Sequence, residues 1–279
     1  MKFDDRQLAL KSIRYRRRIL EIITRAGAGH TGGSLSCIDI LNVLYNRVLR
    51  VSPETFQSGD RDRYIQSKGH SVEALFVVLA DLGFFPDAQL DTLCQYRSHF
   101  VGHPTRKVPG IEQNTGALGH GLPIAVGTAL AGKKDGRDFR VFTLLGDGEL
   151  AEGSNWEAMM SAAHYRLDNL VAIVDHNTLQ ISGRTRDVCC NEPLDEKFRA
   201  FGWEVRVTDG HSIPHLTDAL SYHPSGRPLA IIANTTKGKG VSFMQDVAKW
   251  HHGVPNEQEY ASALRELDAA LAMAEGSAA

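Results

Sequence analysis

Two apolar runs, Val141–Leu145 and Leu170–Val174, each lead into a turn that carries an oxygen-bearing side chain. The first is followed by Gly146-Asp147-Gly148-Glu149, and the second by Asn177, thirty positions beyond Asp147. Short apolar runs separated by a helix-length segment predict strand, turn, helix and strand in succession. Two strands joined by so long a crossover lie parallel. In a parallel α/β sheet both turns then emerge at the carboxyl ends of strands, where ligands bind. An aspartate carboxylate, an asparagine amide oxygen and a nearby backbone carbonyl make a hard oxygen set suited to Mg²⁺. Such an ion can in turn hold the oxygens of a diphosphate.

Two other readings of the same residues stay open at this point. Gly146-Asp-Gly-Glu-Leu-Ala151 also satisfies the dinucleotide pattern G-x-G-x-x-G/A, which expects a preceding strand and a following helix. Asp147 at its second position would aim a negative charge at a diphosphate unless a cation intervenes. Alternatively, Asp147 is a capping residue in a plain strand-to-helix turn.

The rest of the chain is consistent with an α/β protein that binds a small molecule. With 279 residues, 42% of them hydrophobic, it is long enough to bury a large core as one domain, residues 1–279. A formal charge of −2, from 31 basic and 33 acidic residues, shows no global bias toward nucleic acid. The one basic cluster, Lys11 to Arg18, lies in a helical pattern with Ile13, Ile19, Leu20 and Ile23, as expected of a solvated or interface helix face. Cys37, Cys94, Cys189 and Cys190 show no CxxC spacing. With no signal peptide pattern they read as reduced thiols of a cytoplasmic protein. No apolar run approaches the length of a membrane span.

The pattern predicts helices over 5–25, 34–48 with Ser34 or Ser36 as cap, 71–82, 87–96, 121–132, 152–165, 195–201 and 213–221. Strands are expected at 63–67, 141–145, 170–174, 202–207 and 228–233, with a helical tail over 256–279. Strands alternating with helices indicate a doubly wound, mostly parallel sheet flanked by helices.

His30, His70, His103, His120 and His252 each stand beside glycine. Glycine permits turns and close backbone approach, so these side chains are expected on loops facing a ligand. They lack the spacing of zinc ligands, and the chain has neither a G-x-S-x-G elbow nor a Walker P-loop. Imidazoles around an anionic cofactor suit hydrogen bonding to sugar hydroxyls and proton transfer near neutral pH.

Taken together in order, these motifs resemble the N-terminal, thiamine diphosphate-binding half of a transketolase, over residues 10–255. The residues that carry the resemblance are Gly29-His-Thr-Gly-Gly33, Ser67-Lys-Gly-His70, Gly102-His-Pro104, Thr115-Gly-Ala-Leu-Gly119, Gly146-Asp-Gly148, Asn177, Thr235-Thr-Lys-Gly-Lys-Gly240 and His252-Gly-Val-Pro255. The resemblance implies that Asp147, Asn177 and the Leu179 carbonyl coordinate Mg²⁺ (or Ca²⁺). It places Gly148, Asn177, His70 and His252 at the diphosphate, and the Gly116 and Leu118 backbone at the aminopyrimidine. His30, His103 and His252 would face the sugar, with His103 toward the terminal hydroxyl of the two-carbon unit. Glu152 matches a glutamate near the cofactor and subunit interface, while a helix-start carboxylate remains the alternative. His120 stands where the family commonly has glutamine. Lys68 and Lys237 replace less charged residues, and both phosphate binding and simple solvent exposure are open for them.

Transketolases also need a pyrimidine-binding domain whose glutamate activates the cofactor, and this sequence encodes only the first domain. Two explanations fit the resemblance: a piece of a longer chain, or, as the expected helical C-terminus with its polar tail favours, a split enzyme whose N-terminal subunit works with a C-terminal, pyrimidine-binding subunit in a symmetric hetero-oligomer. The assembled enzyme would transfer a two-carbon ketol unit from a ketose phosphate to an aldose phosphate, with neither nucleic acid nor membrane as partner. The sugars themselves are left open, including branched and sulfonated ones. The alternatives are another thiamine diphosphate enzyme half, of the 2-oxo acid dehydrogenase or deoxyxylulose-phosphate synthase type, and a non-catalytic cofactor-binding regulator.

Overall fold

Asp4 and Gln7 start the first helix with a capping box in the computed structural model, which describes residues 3–276. Gln7 N–H donates to the Asp4 carboxylate at 2.7 Å, and Asp4 N–H to Gln7 Oε1 at 2.9 Å. Helix α1 (Asp5–Ala26) ends at Gly27, whose φ of +62° closes the last turn without a side-chain penalty. Helix α2 (Thr31–Val43) is buried along its whole length and continues into a π-helical turn, Leu44–Val48. It starts three residues before Ser34, so neither Ser34 nor Ser36 is a cap. Both hydroxyls lie inside the helix and donate to buried carboxylates, of Glu73 and Asp175 respectively.

Beyond these come β1 (Arg63–Gln66), α3 (Val72–Asp81), α4 (Gly121–Lys134), β2 (Val141–Gly146), α5 (Gly153–His164) and β3 (Leu170–His176). A minimal hairpin follows, β4 (Leu179–Gln180) with β5 (Gly183–Arg184), and then α6 (Thr185–Val188) and α7 (Leu194–Ala200). The chain closes with β6 (Glu204–Asp209), α8 (Ile213–Ser221), β7 (Leu229–Asn234) and α9 (Glu257–Gly276). Two expectations fail locally. The helix expected over 87–96 is only a 3₁₀ turn, Asp87–Thr92, because Cys94 and Arg97 adopt left-handed φ of 57° and 65°. Strand β6 begins two residues late, because Gly202 and Trp203 donate their N–H groups to Arg199 and Phe198 and so finish α7. The expected end of the C-terminal tail, Ser277–Ala279, lies outside the described residues.

The sheet order is β1-β2-β3-β7-β6, and every pairing is parallel. Its central strands are apolar on both faces, as a sheet covered on both sides requires. Phe142, Leu144, Val171, Ile173, Leu229 and Ile231 point into the layer of α1, α2, α3 and α8. Their neighbours Val141, Leu145, Leu170, Ala172, Val174 and Ile232 point into the opposite layer of α4, α5 and α7. Each fully buried Leu, Ile or Phe contributes about 1.5–3 kcal/mol to this packing.

The basic cluster of α1 is largely an interface face within the chain, with Arg14 and Arg17 the partly solvated members. Arg16 is buried and makes a bidentate pair with Asp39, at 3.0 and 2.6 Å. Arg17 pairs with Asp268 and Arg14 with Glu275, both at 3.0 Å, holding α9 against α1. Arg18 reaches Asp87 and Asp91, and Lys11 reaches Asp81. Among the described residues no helix is long and apolar enough to cross a membrane.

Candidate functional site

Because β1, β2, β3 and β7 run the same way, their carboxyl ends bring Ser67–His70, Gly146–Glu149, Asn177–Gln180 and Thr235–Lys237 to one edge of the sheet. A cavity of about 440 Å³ opens there. His30, from the loop before α2, and His103, Gly116 and Leu118, from the 102–120 segment, complete its walls.

The β2 and β3 turns are tied together through Asp147. Its buried carboxylate accepts from Gly148 N–H at 2.8 Å and from Thr178 N–H across the gap. Burial, and then the nearby charge of Asp175, push its pKa up to about 6. Thr178 has a left-handed φ of 62°, which turns the chain sharply between Asn177 and Leu179. Asn177 Nδ2 donates to Asp175 Oδ2 at 3.2 Å, which settles the orientation of the amide and leaves Oδ1 as the acceptor of Leu179 N–H, at 3.1 Å. The Leu179 carbonyl accepts from the Lys237 ammonium at 2.9 Å. Each of the three oxygens is therefore already directed at a positive dipole or charge. A carboxylate, an amide oxygen and a carbonyl fit a hard divalent cation.

Behind this set lies a buried ion pair. Lys68 donates to Asp175 and, at 3.2 Å, to Gly33 O. Asp175 also accepts from Ser36 Oγ, at 2.6 Å, and from Thr235 Oγ1. Burial opposes ionisation of both partners, but their mutual attraction wins, raising the pKa of Lys68 and lowering that of Asp175. Neither Lys68 nor Lys237 sits in solvent, being 1% and 2% exposed. Burial, and then the charge of Lys68, bring Lys237 down to about 8.

The histidines gather around His30. Its ring centroid lies 4.6 Å from that of His252, 5.3 Å from His70, 5.8 Å from His251 and 5.9 Å from His103. His251 stacks on His70 at 5.1 Å and accepts from Lys237 through Nδ1. Burial first, and then neighbouring positive charge, lower His30 to about 4 and His251 to about 3, and hold His70 well below its ordinary value. Burial alone lowers His103. These four imidazoles are neutral at pH 7, able both to donate and to accept. His30 Nδ1 is buried without a hydrogen-bond partner among the described residues.

His252 is exposed and meets the ring of His30, whereas His251 lines the cavity. His120 is exposed at the start of α4, away from the cavity lining. Gly116 is glycine for a steric reason. Its φ is +144°, and a Cβ there would stand 2.8 Å from His103 Cδ2. Gly148 and Glu152 line the cavity. Glu152 holds the N-cap position of α5, a carboxylate at the helix start as the alternative expects, and makes no side-chain cap hydrogen bond.

Three further contributors are not among the candidate site residues of the sequence. Glu149, 2% exposed, accepts from Ser67 Oγ, from Gly119 N–H and from Gly146 N–H, the last two at 3.0 Å. Burial raises its pKa. Glu73, fully buried, accepts from His30 N–H at 3.1 Å and Ser34 Oγ at 2.8 Å, and burial lifts it to about 7. His211 donates from Nδ1 to Asp39 at 2.7 Å and accepts from Thr236 N–H through Nε2 at 2.8 Å, pinning the loop that carries Lys237. Of the three, His211 alone shares the mark of the other histidines, since Gly210 precedes it.

The fold and these motifs have close counterparts. The family model of the transketolase thiamine diphosphate binding domain matches residues 6–270. An apulose-4-phosphate transketolase subunit of Phocaeicola vulgatus is 47% identical over 262 residues, 93% of each chain. A 6-deoxy-6-sulfo-D-fructose transketolase subunit of a Clostridium species is 41% identical over 256 residues, 91% of this chain and 93% of that one. In structure, a transketolase from Campylobacter jejuni superposes with a TM-score of 0.86 at 31% identity, over 94% of this chain and 43% of that one. A whole-length match to the binding domain, on a sheet whose turns present Asp147, Asn177 and the histidine group at one cavity, means that this chain belongs to the transketolase family as its thiamine diphosphate-binding part.

Proposed function

We propose that this chain is the cofactor-binding subunit of a split transketolase. With a partner chain bearing the pyrimidine-binding domain, it transfers a two-carbon ketol unit from a ketose phosphate to an aldose phosphate. The observation that carries the reading is the convergence of three oriented oxygens and four neutral imidazoles on one cavity. The two relatives named as transketolase subunits match this chain nearly end to end, which supports the partnership.

Asp147, Asn177 Oδ1 and the Leu179 carbonyl would hold Mg²⁺, or Ca²⁺ in its place, and Gly148 and His70 would meet the diphosphate. The turn at Gly116, shaped against His103, offers backbone at 116–118 to the aminopyrimidine. Thiamine diphosphate supplies the carbon nucleophile that accepts and releases the ketol unit. His30 and His103, neutral at working pH, hydrogen-bond the sugar oxygens and move protons to and from them. His252, at the rim beside His30, closes the sugar side. Asp175 and Lys68 act through Asn177, keeping its amide oxygen forward.

The test is calorimetric titration of the chain with thiamine diphosphate at saturating Mg²⁺, followed by ketose-donor cleavage with and without the candidate partner chain. Asp147→Ala should abolish Mg²⁺-dependent binding, and normal affinity in that variant rules out the metal assignment. His103→Ala should slow cleavage about 100-fold while cofactor affinity stays near wild type. Equal losses in both would remove His103 from the sugar.

A further inference from the structure

Behind the cavity lining, a buried cluster of charges grips one of the cavity loops. Asp39 in α2 is 4% exposed and takes three hydrogen bonds, from Arg16 of α1 at 3.0 and 2.6 Å and from His211 Nδ1 at 2.7 Å. Burial opposes ionisation of Asp39, but Arg16 and then His211 hold its pKa below the ordinary carboxylate range. On the other side of its ring, His211 Nε2 accepts from Thr236 N–H at 2.8 Å. An ionised carboxylate can only accept and a backbone amide can only donate, so a single form of the ring makes both contacts: neutral, with its proton on Nδ1. Arg16 Nε also donates to Lys239 O at 2.9 Å. Asp39 therefore orients the two groups that hold the loop after β7, one at Thr236 and the other at Lys239.

That loop begins with Thr235, whose hydroxyl donates to Asp175 Oδ1. The two oxygens of Asp175 are unequally served. Oδ2 accepts from Lys68, from Ser36 Oγ at 2.6 Å and from Asn177 Nδ2 at 3.2 Å. Oδ1 has Thr235 as its one partner among the described residues. Thr235 thus sets the rotation of the carboxylate, and with it the oxygen that meets Asn177. Its own place is fixed from both sides, by Thr235 N–H on His176 O at 3.0 Å and by Thr236 N–H on His211. The fit is close: a Cβ at Gly210, next to His211, would stand 2.4 Å from Thr235 Cγ2.

We infer that His211 is a positioning residue of the candidate metal site. Held as the Nδ1–H tautomer by Asp39, it pins Thr236, which sets Thr235 against Asp175 and so keeps Asn177 Oδ1 forward. His211 does not line the cavity and acts only through this chain of hydrogen bonds. The inference rests on the metal–diphosphate reading above and adds to it a link from the α1–α2 ion pair to one of the metal oxygens.

Two replacements divide the ring between them. In His211→Asn the amide nitrogen takes the place of Nδ1 and keeps Asp39, while Thr236 N–H loses its acceptor. In His211→Gln the amide oxygen takes the place of Nε2 and keeps Thr236, while Asp39 loses a donor. Calorimetric titration of the full chain with thiamine diphosphate at saturating Mg²⁺ reads the site, and urea unfolding without cofactor reads the fold. His211→Asn should bind the cofactor about tenfold more weakly than wild type. His211→Gln should recover most of that loss yet unfold at lower urea than His211→Asn, because the contact it gives up is the charge-assisted one. Affinities that rank as the stabilities do, or that are equal in the two variants, overturn the inference. If His211→Asn does not fold, Thr235→Val breaks the chain one step later and should weaken the cofactor to the same extent; wild-type affinity there overturns the inference as well. Wild-type protein that takes up no thiamine diphosphate at saturating Mg²⁺ overturns the metal–diphosphate reading itself. Normal uptake by wild type and by both His211 variants overturns only the role of His211.

Discussion

Replacing Glu149 with alanine probes the knot that joins three cavity segments. The carboxylate is 2% exposed and accepts from Ser67 Oγ behind β1, Gly146 N–H at the end of β2 and Gly119 N–H in the segment before α4. In the variant the Ser67 hydroxyl can rotate to another acceptor, but the two backbone donors cannot move without their chains. Each orphaned buried donor costs about 1–3 kcal/mol, giving about 4 kcal/mol for the pair. The change also relieves the burial of a carboxylate whose pKa is raised by that burial, which offsets part of the loss. A net destabilisation of about 3 kcal/mol follows. With a urea slope of about 3 kcal/mol per molar for a chain of this size, the unfolding midpoint should fall by about 1 M. Because Gly146 precedes Asp147 and Gly119 follows Leu118, cofactor affinity should fall as well. A midpoint within about 0.2 M of wild type would refute the reasoning, since it would mean that the two amides find other partners or that the carboxylate was never holding them.

Glu73 sets a pH dependence of defined sign. Its carboxyl is held at about 7 against an ordinary 4.5, so the folded state takes up its proton more readily than the unfolded chain. The stability it contributes is fully present below 4.5 and is lost as pH rises through 7, about 3 kcal/mol in all. Glu73→Gln can keep both contacts, because the Ser34 hydroxyl can accept as well as donate; the variant should flatten urea midpoints measured between about pH 5 and pH 8, and an unchanged slope would refute the assignment. In α4, a Cβ at Gly121 would stand 2.3 Å from Ser67 Oγ and 2.6 Å from its Cα, whereas one at Gly127 meets nothing within 4 Å. Gly121→Ala should cost about 2 kcal/mol or more and Gly127→Ala should stabilise by about 0.5–1 kcal/mol, a difference in sign that thermal melts will read.

Much of the architecture was legible in the sequence because a parallel strand covered on both faces is an uninterrupted apolar run. Val141–Leu145 and Leu170–Val174 could be little else, and the Asp147 and Asn177 turns had to emerge at the same sheet edge. The misreadings share a cause. Ser34 reads as the start of α2 because serine is a good cap, yet its hydroxyl serves Glu73, a residue 39 positions away. The segment after Asp87 carries helical spacing, but left-handed residues at 94 and 97 break it. Proximity to glycine singles out His252, while its neighbour His251 is the one that lines the cavity.

What the sequence by itself determined about this protein is therefore the order of strands and helices, the parallel sense of the central strands and the two oxygen-bearing turns. These follow from local periodicity and spacing, which act over a few residues. Which charges are buried, and against what, was decided only when the chain folded. Lys68 meets Asp175 over 107 positions, Lys237 meets the Leu179 carbonyl over 58, and Glu149 meets Gly119 over 30. A lysine or glutamate in a glycine-rich loop reads as solvent-exposed from composition alone. The sheet edge turns it inward, and once water is excluded each charge must find a partner among whatever residues the crossing strands have placed there.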